Sequence, residues 1–226
     1  MERVAFDVRR AAFGVRAFAV VLGALVVGAA AQVSIPLPGT PVPMTLQPMA
    51  VLLVGGLLGA RFGALSLILY LAMGAAGLPV FTPTVPLLGI ARLFGPTGGY
   101  LLAYPVAAWA VGVLLTPGRR PGENPPGGVL LTPGHRPGEN PPGGVLLTPG
   151  HRPGVSRTQW VRTALAVLAG MVLIHLGGLA QLAILTGNLS AAARFGTVPF
   201  LLGDLLKIAV LVPVLAKLTP SIRARL

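Results

Sequence analysis

The chain contains no cysteine, which excludes disulfide bonds, thiolate metal sites and a cysteine nucleophile. Acidic residues are also scarce, with five Asp and Glu against 17 Lys and Arg in 226 residues. Only 10% of the residues are charged, whereas a soluble domain averages about 25%. Because 54% of the residues are apolar and the mean hydropathy is +0.82, the composition predicts a membrane protein.

Enzyme motifs are missing from the sequence as well. Neither lysine follows a glycine, so there is no P-loop for nucleotide phosphates, and no serine lies in a GxSxG elbow. His175 is followed by Leu-Gly-Gly-Leu instead of the HExxH pattern of zinc proteases, and a lone histidine on an apolar helix is usually a packed residue. No nucleic-acid-binding motif accompanies the basic excess. We therefore expect binding or transport, with no catalytic residue, no ATPase activity and no bound metal.

Apolar windows of membrane-crossing length predict an all-α fold. A transmembrane helix needs about 17 to 25 apolar residues. The stretch 49–80 is too long for one crossing and is interrupted by glycines and Arg61, which predicts two short helices joined at 59–61. Further windows at 17–35, 98–115, 161–185 and 198–218 bring the prediction to six transmembrane helices in one domain over residues 1–226.

The first apolar window follows a basic head, as in a signal peptide, and the alanines at 29–31 offer a cleavage-like site. Acidic residues at Glu2 and Asp7, together with the later apolar windows, favour a retained signal anchor instead. We therefore interpret this window as the first transmembrane helix.

The distribution of basic residues tests the six-helix topology. If the N-terminus is cytoplasmic, fourteen of the 17 basic residues fall on the cytoplasmic side, Arg92 and Arg194 fall outside, and Lys207 lies within a helix. This bias agrees with the positive-inside rule. A five-helix topology, in which the stretch 49–80 forms one helix, would remove the bias. Both termini are therefore predicted to be cytoplasmic.

A tandem repeat occupies the loop after the fourth predicted helix. Residues 112–127 and 128–143 differ only in Arg119 against His135, and a truncated third copy starts at 144. A Pro-, Gly- and Arg-rich period of 16 residues cannot bury a core, so we predict a disordered cytoplasmic insertion at 116–157. Expansion of a duplication in a tolerant loop is favoured over a specific function such as weak attraction to anionic lipid.

The last predicted helix carries two charged residues, Asp204 and Lys207, on one face because they are three positions apart. One ionised side chain at the centre of a membrane helix costs about 2.5 to 3.5 kcal/mol on insertion scales. Such residues therefore face a partner or a wet cavity. Two interpretations follow: a salt bridge that holds the helix in the bundle, or part of a substrate site.

Four short strings resemble a known family. They are PVPMTLQ at 41–47, GLPVF at 77–81, GPTGGY at 95–100 and GDLLK at 203–207. In this order and spacing they resemble the BioY family, the biotin-binding membrane components of energy-coupling factor (ECF) transporters, over most of residues 30–215. The repeat at 116–154 departs from the family pattern, which puts the shape of that loop in question but not the site.

The resemblance implies a subunit that captures biotin near the outer side of a prokaryotic cytoplasmic membrane. Biotin would be the substrate, so no cofactor is implied. The subunit has no energy source, so the implied partners besides the lipid bilayer are separate ATP-hydrolysing subunits and a transmembrane coupling protein of an ECF module. Function without these partners, as a dimer, is an alternative within the family.

Site residues are carried over from positions of the family. The resemblance implies Arg92, Asp204 and Lys207 as polar anchors, with Thr45, Gln47 and Tyr100 as weaker candidates. The chemistry agrees, because cations suit the carboxylate of biotin, a carboxylate accepts from the ureido N–H groups, and such charge-assisted bonds are strong. Which anchor meets which end of biotin stays open, and Tyr100 also suits the aromatic belt of a membrane protein.

Small residues on the first helix suggest a docking face for the coupling protein. Ala19 and Gly23, and again Ala24 and Gly28, are four positions apart, a spacing that lets another backbone come close. Packing within the bundle explains the same spacing equally well.

Two other functions remain as alternatives. A proton- or ion-coupled carrier needs acidic or histidine groups along a path, and only Asp204 and His175 are available. A membrane assembly factor explains the small residues and the charged pair but leaves the PVPMTLQ and GPTGGY loops without a purpose.

Overall fold

The computed structural model describes residues 2–116 and 155–223, with side chains from residue 14 onward. The regular secondary structure of the described part is helical, apart from two antiparallel strands of two residues each. The repeat insertion predicted at 116–157 lies almost entirely outside the described residues. In chain order the elements are α1 (Glu2–Gln32), β1 (Ser34–Ile35), β2 (Met44–Thr45), α2 (Gln47–Ala75), α3 (Ala91–Phe94), α4 (Gly98–Leu114), α5 (Arg157–Thr186), α6 (Leu189–Gly196), a 3-10 turn (Val198–Phe200) and α7 (Leu201–Arg223).

Helix α2 is two helices joined at Gly59. This residue has φ 80° and ψ 178°, a backbone conformation that glycine adopts readily and other residues do not. The junction predicted at 59–61 is therefore confirmed. We name residues 47–58 the first arm of α2 and residues 60–75 the second arm.

Counted with the two arms of α2 taken separately, α1, α4, α5 and α7 bring the described residues to six helical segments of the bundle. Four stretches are long and apolar enough to cross a membrane, namely Gly14–Gln32, Gln47–Ala75, Arg157–Thr186 and Leu189–Arg223. Helix α4 is a shorter apolar helix of 17 residues. The chain is thus a multi-pass helical membrane protein.

Glycines let α2 and α4 meet at the centre of the bundle. A Cβ atom at Gly55 would lie 2.4 Å from the carbonyl oxygen of Ala108, and one at Gly112 would lie 2.2 Å from the nitrogen of Ala60. Because no side chain fits there, the two backbones touch directly, as small residues allow in membrane bundles. Helix α1 packs on α2, α5 packs on α4, and α7 contacts both α5 and α2.

The small residues of α1 pack inside the bundle. A Cβ atom at Gly23 would lie 2.6 Å from Ser66 Oγ, and one at Gly28 would lie 3.4 Å from Val80 Cβ. The face that we assigned to partner docking is therefore covered by α2 and the loop after it, as the bundle-packing alternative predicts. Of the four residues assigned to docking, Gly23, Ala24 and Gly28 are buried and Ala19 is half-buried.

One end of the bundle, which we name the arginine end, is held by guanidinium groups on backbone carbonyls. Arg223 donates from Nε to the carbonyl of Gly56 at 3.0 Å and from Nη2 to that of Gly112 at 3.2 Å. Arg162 donates from Nε to the carbonyl of Leu114 at 2.6 Å. Carbonyls in the last turn of a helix have no partner within the helix, so these arginines complete their hydrogen bonding. Arg16 also lies at this end, 5.8 Å from the ring centroid of Phe62.

The opposite end is closed by contacts between loops. Thr40 in the β1–β2 loop donates to the carbonyl of Phe195 in α6 at 2.6 Å. Gln32 at the end of α1 donates to the carbonyls of Pro79 and Phe81, each at 3.3 Å. The loops that the topology prediction assigns to the outer side therefore meet one another at this end.

Candidate binding pocket

A pocket lies at the loop-covered end, between α2, α4, α5, α7 and the loop before α3. It holds about 560 Å³ of space between protein atoms, including its open mouth. Apolar side chains supply much of the wall, among them Phe81, Ile174 and Phe200. All six residues predicted for the substrate site line this one pocket: Thr45, Gln47, Arg92, Tyr100, Asp204 and Lys207.

Asp204 is the centre of a buried hydrogen-bond network. Its Oδ1 lies 2.8 Å from Lys207 Nζ, and its Oδ2 lies 2.7 Å from His175 Nε2. Asp204 and Lys207 are only 5% and 8% exposed. The salt bridge of the first interpretation is therefore formed, and both of its residues line the pocket, where the second interpretation needs them. A carboxylate offers about four lone-pair sites, so Asp204 retains capacity to accept from a ligand.

Arg92, in α3, holds the loop in front of it and also lines the pocket. It is 1% exposed and donates from Nη1 to the carbonyls of Val85 at 2.5 Å and Leu87 at 2.9 Å, and from Nη2 to that of Thr82. Arginine suits this role, because one guanidinium group can donate hydrogen bonds to several carbonyls of one loop.

The charge of Arg92 has no counter-ion within residues 14–116 and 155–223, where the described ion pairs involve only Asp204. Its Nε is buried and forms no hydrogen bond in the described structure. Burial lowers the pKa of Arg92, but an arginine pKa starts so high that the group stays charged. The pocket wall thus contains a positive charge that an anionic group of a ligand can balance.

Gln47 joins the two arms of α2 at the pocket. Its Nε2 donates to the hydroxyl of Tyr70 at 2.5 Å, and its backbone N–H donates to Thr45 Oγ1 at 3.3 Å. Gln47 is 3% exposed and stands at the start of the first arm, whereas Tyr70 belongs to the second arm. Thr45 and Gln47 therefore form a polar corner of the pocket that the fold itself fixes.

Tyr100 packs inside the bundle and not in an aromatic belt at the lipid interface. It is 8% exposed, its hydroxyl donates to the carbonyl of Gly196, and a Cβ atom at Gly178 would lie 2.1 Å from its ring. Its ring meets that of His175 edge to face, with 6.2 Å between centroids. Because the hydroxyl is already bonded, the ring of Tyr100 is the part available as a pocket wall.

His175 is the pocket residue that our sequence analysis missed. It was interpreted as a packed histidine, and its side chain is indeed only 15% exposed, but it contacts Asp204 and lines the pocket. One signal was present, since His175 is the one histidine outside the 16-residue repeat. Tyr104, one turn after Tyr100 on α4, was also missed and is 3% exposed in the same wall.

Fold and site together define a class: a multi-pass helical membrane protein with a pocket that combines apolar walls with charged groups. Within the described residues, no group of His, Cys, Asp or Glu could hold a metal ion. The chain belongs to the BioY family, whose family model matches residues 7–224.

Curated relatives match part of the chain. It is 45% identical over 69 residues to the probable biotin transporter BioY of Pyrococcus horikoshii, which covers 30% of this chain and 41% of that one. It is 44% identical over 85 residues to the biotin transporter BioY2 of Lactococcus lactis subsp. cremoris, covering 38% and 44%, and 40% identical over 84 residues to the biotin transporter BioY of Thermotoga maritima, covering 37% and 47%. The matched stretch thus spans less than half the length of each of these relatives.

A solved structure shares the fold over nearly the whole chain. The crystal structure of the S-component for biotin from an ECF-type ABC transporter superposes with a TM-score of 0.63 and covers 94% of this chain and 92% of the other. The two sequences are 22% identical, so this likeness establishes the architecture.

Proposed function

We propose that this chain binds biotin and acts as the substrate-binding subunit of an ECF-type transporter for biotin uptake. The observation that carries the proposal is the presence of two complementary polar groups, the Arg92 guanidinium and the Asp204 carboxylate, in one pocket with apolar walls. The names of the curated relatives and of the solved S-component support the same substrate.

The chemistry of biotin suggests how it would lie in the pocket. Biotin has a carboxylate, a ureido ring with two N–H donors and one carbonyl, and an apolar bicyclic body. Arg92 has no counter-ion among the described residues and suits the carboxylate, whereas Asp204 accepts from a ureido N–H and Lys207 has further N–H donors for the ureido carbonyl. Phe81 and Phe200 would then cover the bicyclic body.

We further propose that the arginine end faces the cytoplasm, so that both termini lie there and the pocket opens on the outer side. Arg16, Arg162 and Arg223 are together at the arginine end, and Arg92 and Arg194 belong to the loop-covered end. The positive-inside rule favours this orientation in the cytoplasmic membrane of a prokaryote.

Uptake against a gradient would need partner proteins. The sequence contains no P-loop, so ATP hydrolysis would come from separate subunits of an ECF module, coupled through a transmembrane protein. The subunit itself would supply selectivity, since the pocket is built entirely from its own side chains.

The proposal is tested by equilibrium binding of radiolabelled biotin to the purified protein in detergent, with unlabelled biotin, riboflavin and thiamine as competitors. We expect unlabelled biotin to displace the label and the other two vitamins to leave it bound. Binding of all three vitamins with similar affinity, or of none by a protein that is monodisperse and helical, would contradict the assignment of biotin.

A further inference from the structure

We propose that His175 contacts the ligand directly, accepting a hydrogen bond from one ureido N–H of biotin at Nδ1. His175 would then be a specificity-determining residue, one that selects ligands with an N–H donor at that position. This inference rests on the proposed biotin-binding function and extends it to a residue that the family motifs in the sequence do not include.

The contact with Asp204 determines which nitrogen of His175 carries a proton. Nε2 lies 2.7 Å from Asp204 Oδ2, and an ionised carboxylate only accepts hydrogen bonds, so Nε2 is the donor. Lys207 already balances the charge of the carboxylate at 2.8 Å. The contact with Asp204 needs a proton on Nε2 only, and an Nδ1 without a proton is a lone-pair acceptor.

Nδ1 is buried and has no hydrogen-bond partner among the described residues. Buried polar atoms are nearly always satisfied in proteins, and an exception calls for a partner outside the protein chain. His175 is a lining residue of the pocket, and we assign the missing partner of Nδ1 to a ligand whose binding widens the pocket beside the ring. The ureido group is the part of biotin that carries N–H donors.

The ring of His175 is held in a fixed orientation. Its Nε2 is bound by Asp204 on α7, and Tyr100 on α4 meets it edge to face, with centroids 6.2 Å apart. A ring fixed by two neighbouring helices presents Nδ1 in one direction, which is the condition for discrimination between ligands. His175 would thus offer one acceptor of fixed direction to one ureido N–H.

A purely structural role of His175 predicts no contact between Nδ1 and the ligand. A histidine that only orients Asp204 needs the hydrogen bond at Nε2 and no partner at Nδ1. Glutamine can supply an N–H in place of Nε2 but has no acceptor at the position of Nδ1. The variant His175→Gln therefore removes the acceptor and keeps the bond to Asp204.

The experiment measures the affinity for biotin of the wild-type protein, His175→Gln and the control Leu176→Ala, a residue on α5 that is 55% exposed. We expect His175→Gln to bind biotin about tenfold more weakly, the usual effect of one lost hydrogen bond to a buried group, and Leu176→Ala to bind as the wild type does. Affinity of His175→Gln equal to that of the wild type would overturn the inference, because His175 would then only position Asp204.

A second measurement changes the ligand, and its first comparison uses the wild-type protein alone. Biotin methylated on either ureido nitrogen lacks one N–H, and we expect the wild type to lose affinity for both derivatives. In His175→Gln the acceptor is already removed, so methylation of the nitrogen facing His175 should cost about tenfold less affinity than it does in the wild type. Methylation of the other nitrogen should cost the same affinity in both proteins. Wild-type affinity that is unaffected by methylation at both positions would overturn the inference.

Failure of the inference is distinguishable from failure of the proposed function. If the wild-type protein binds no biotin, the proposed function is wrong and the ligand contact assigned to His175 is wrong with it. If the wild type binds biotin and discriminates equally well after His175→Gln, the function stands and only the role of His175 is refuted.

Discussion

Lys207 and Asp204 form an ion pair one helical turn apart on α7, with 2.8 Å between Nζ and Oδ1. Both side chains are buried, so each compensates the other in a medium where water cannot. Removal of one partner leaves the other as an uncompensated buried charge. Substitution of either residue therefore also affects the other. The effects of such a substitution on ligand binding and on protein stability must be measured separately.

The first prediction concerns Asp204→Asn. Asparagine keeps the size of the side chain but offers one weaker acceptor, so Lys207 loses its counter-ion and a ligand N–H loses a charged partner. We expect biotin affinity to fall more than a hundredfold while the protein still inserts and elutes as a single species. Lys207→Met should have the same effect, and Lys217→Met, an exposed residue on the same helix, should have none. Unchanged biotin binding by Asp204→Asn would refute the assignment of this site.

The second prediction concerns Arg92→Lys, which retains the charge and removes the branched guanidinium. A lysine cannot bridge the carbonyls of Thr82, Val85 and Leu87 together, so the loop should loosen. We expect amide hydrogen exchange in residues 82–90 to rise and biotin affinity to fall at least tenfold.

Arg194→Lys is the matched control for that experiment, because Arg194 is exposed on α6 at the same end of the bundle. It should alter neither hydrogen exchange in residues 82–90 nor affinity. If Arg92→Lys leaves the exchange unchanged, the guanidinium does not hold the loop.

The third prediction tests the packing of α1. Gly23→Ala adds a methyl group 2.6 Å from Ser66 Oγ, and overpacking of this kind costs about 1 to 3 kcal/mol. We expect a lower unfolding temperature in detergent, and recovery when Ser66→Gly is combined with it. Gly14→Ala, where nothing lies within 4 Å, should have no such cost. Normal stability with lost assembly onto an ECF module would instead support a docking role for Gly23.

The fourth prediction uses the absence of cysteine, since any introduced thiol is the single labelling site. Thr84→Cys lies in the exposed loop before α3, and Thr158→Cys lies exposed at the start of α5 near the arginine end. A membrane-impermeant maleimide should label Thr84→Cys in intact cells and Thr158→Cys only after permeabilisation. The reverse pattern would invert the proposed topology.

Elements that depend on local sequence were predictable. The break at Gly59 was evident because glycines and an arginine interrupt an apolar run that is too long for one helix. Helix α6, with eight residues, was missed because it is too short to stand out from the predicted loop around it. The prediction that Arg92, Asp204 and Lys207 share one site came from the family resemblance and not from spacing.

Contacts between helices were not predictable from this one sequence. His175 and Asp204 are 29 residues apart on different helices, and nothing in either helix alone indicates which faces meet. The small residues of α1 posed the same problem, because a four-residue spacing permits close approach of another helix but does not indicate which helix. The folded bundle shows that α2 packs against these residues.

The break at Gly59 also affects the lipid around the protein. The arms of α2, residues 47–58 and 60–75, rise about 18 and 24 Å at 1.5 Å per residue, whereas the hydrocarbon core of a bilayer is about 30 Å thick. Thinning of the bilayer beside α2 is one way to meet such short arms, at a cost that grows with acyl-chain length. Thin membranes should stabilise the fold, and the pocket, which lies where these arms end, should open in a depression of the outer leaflet.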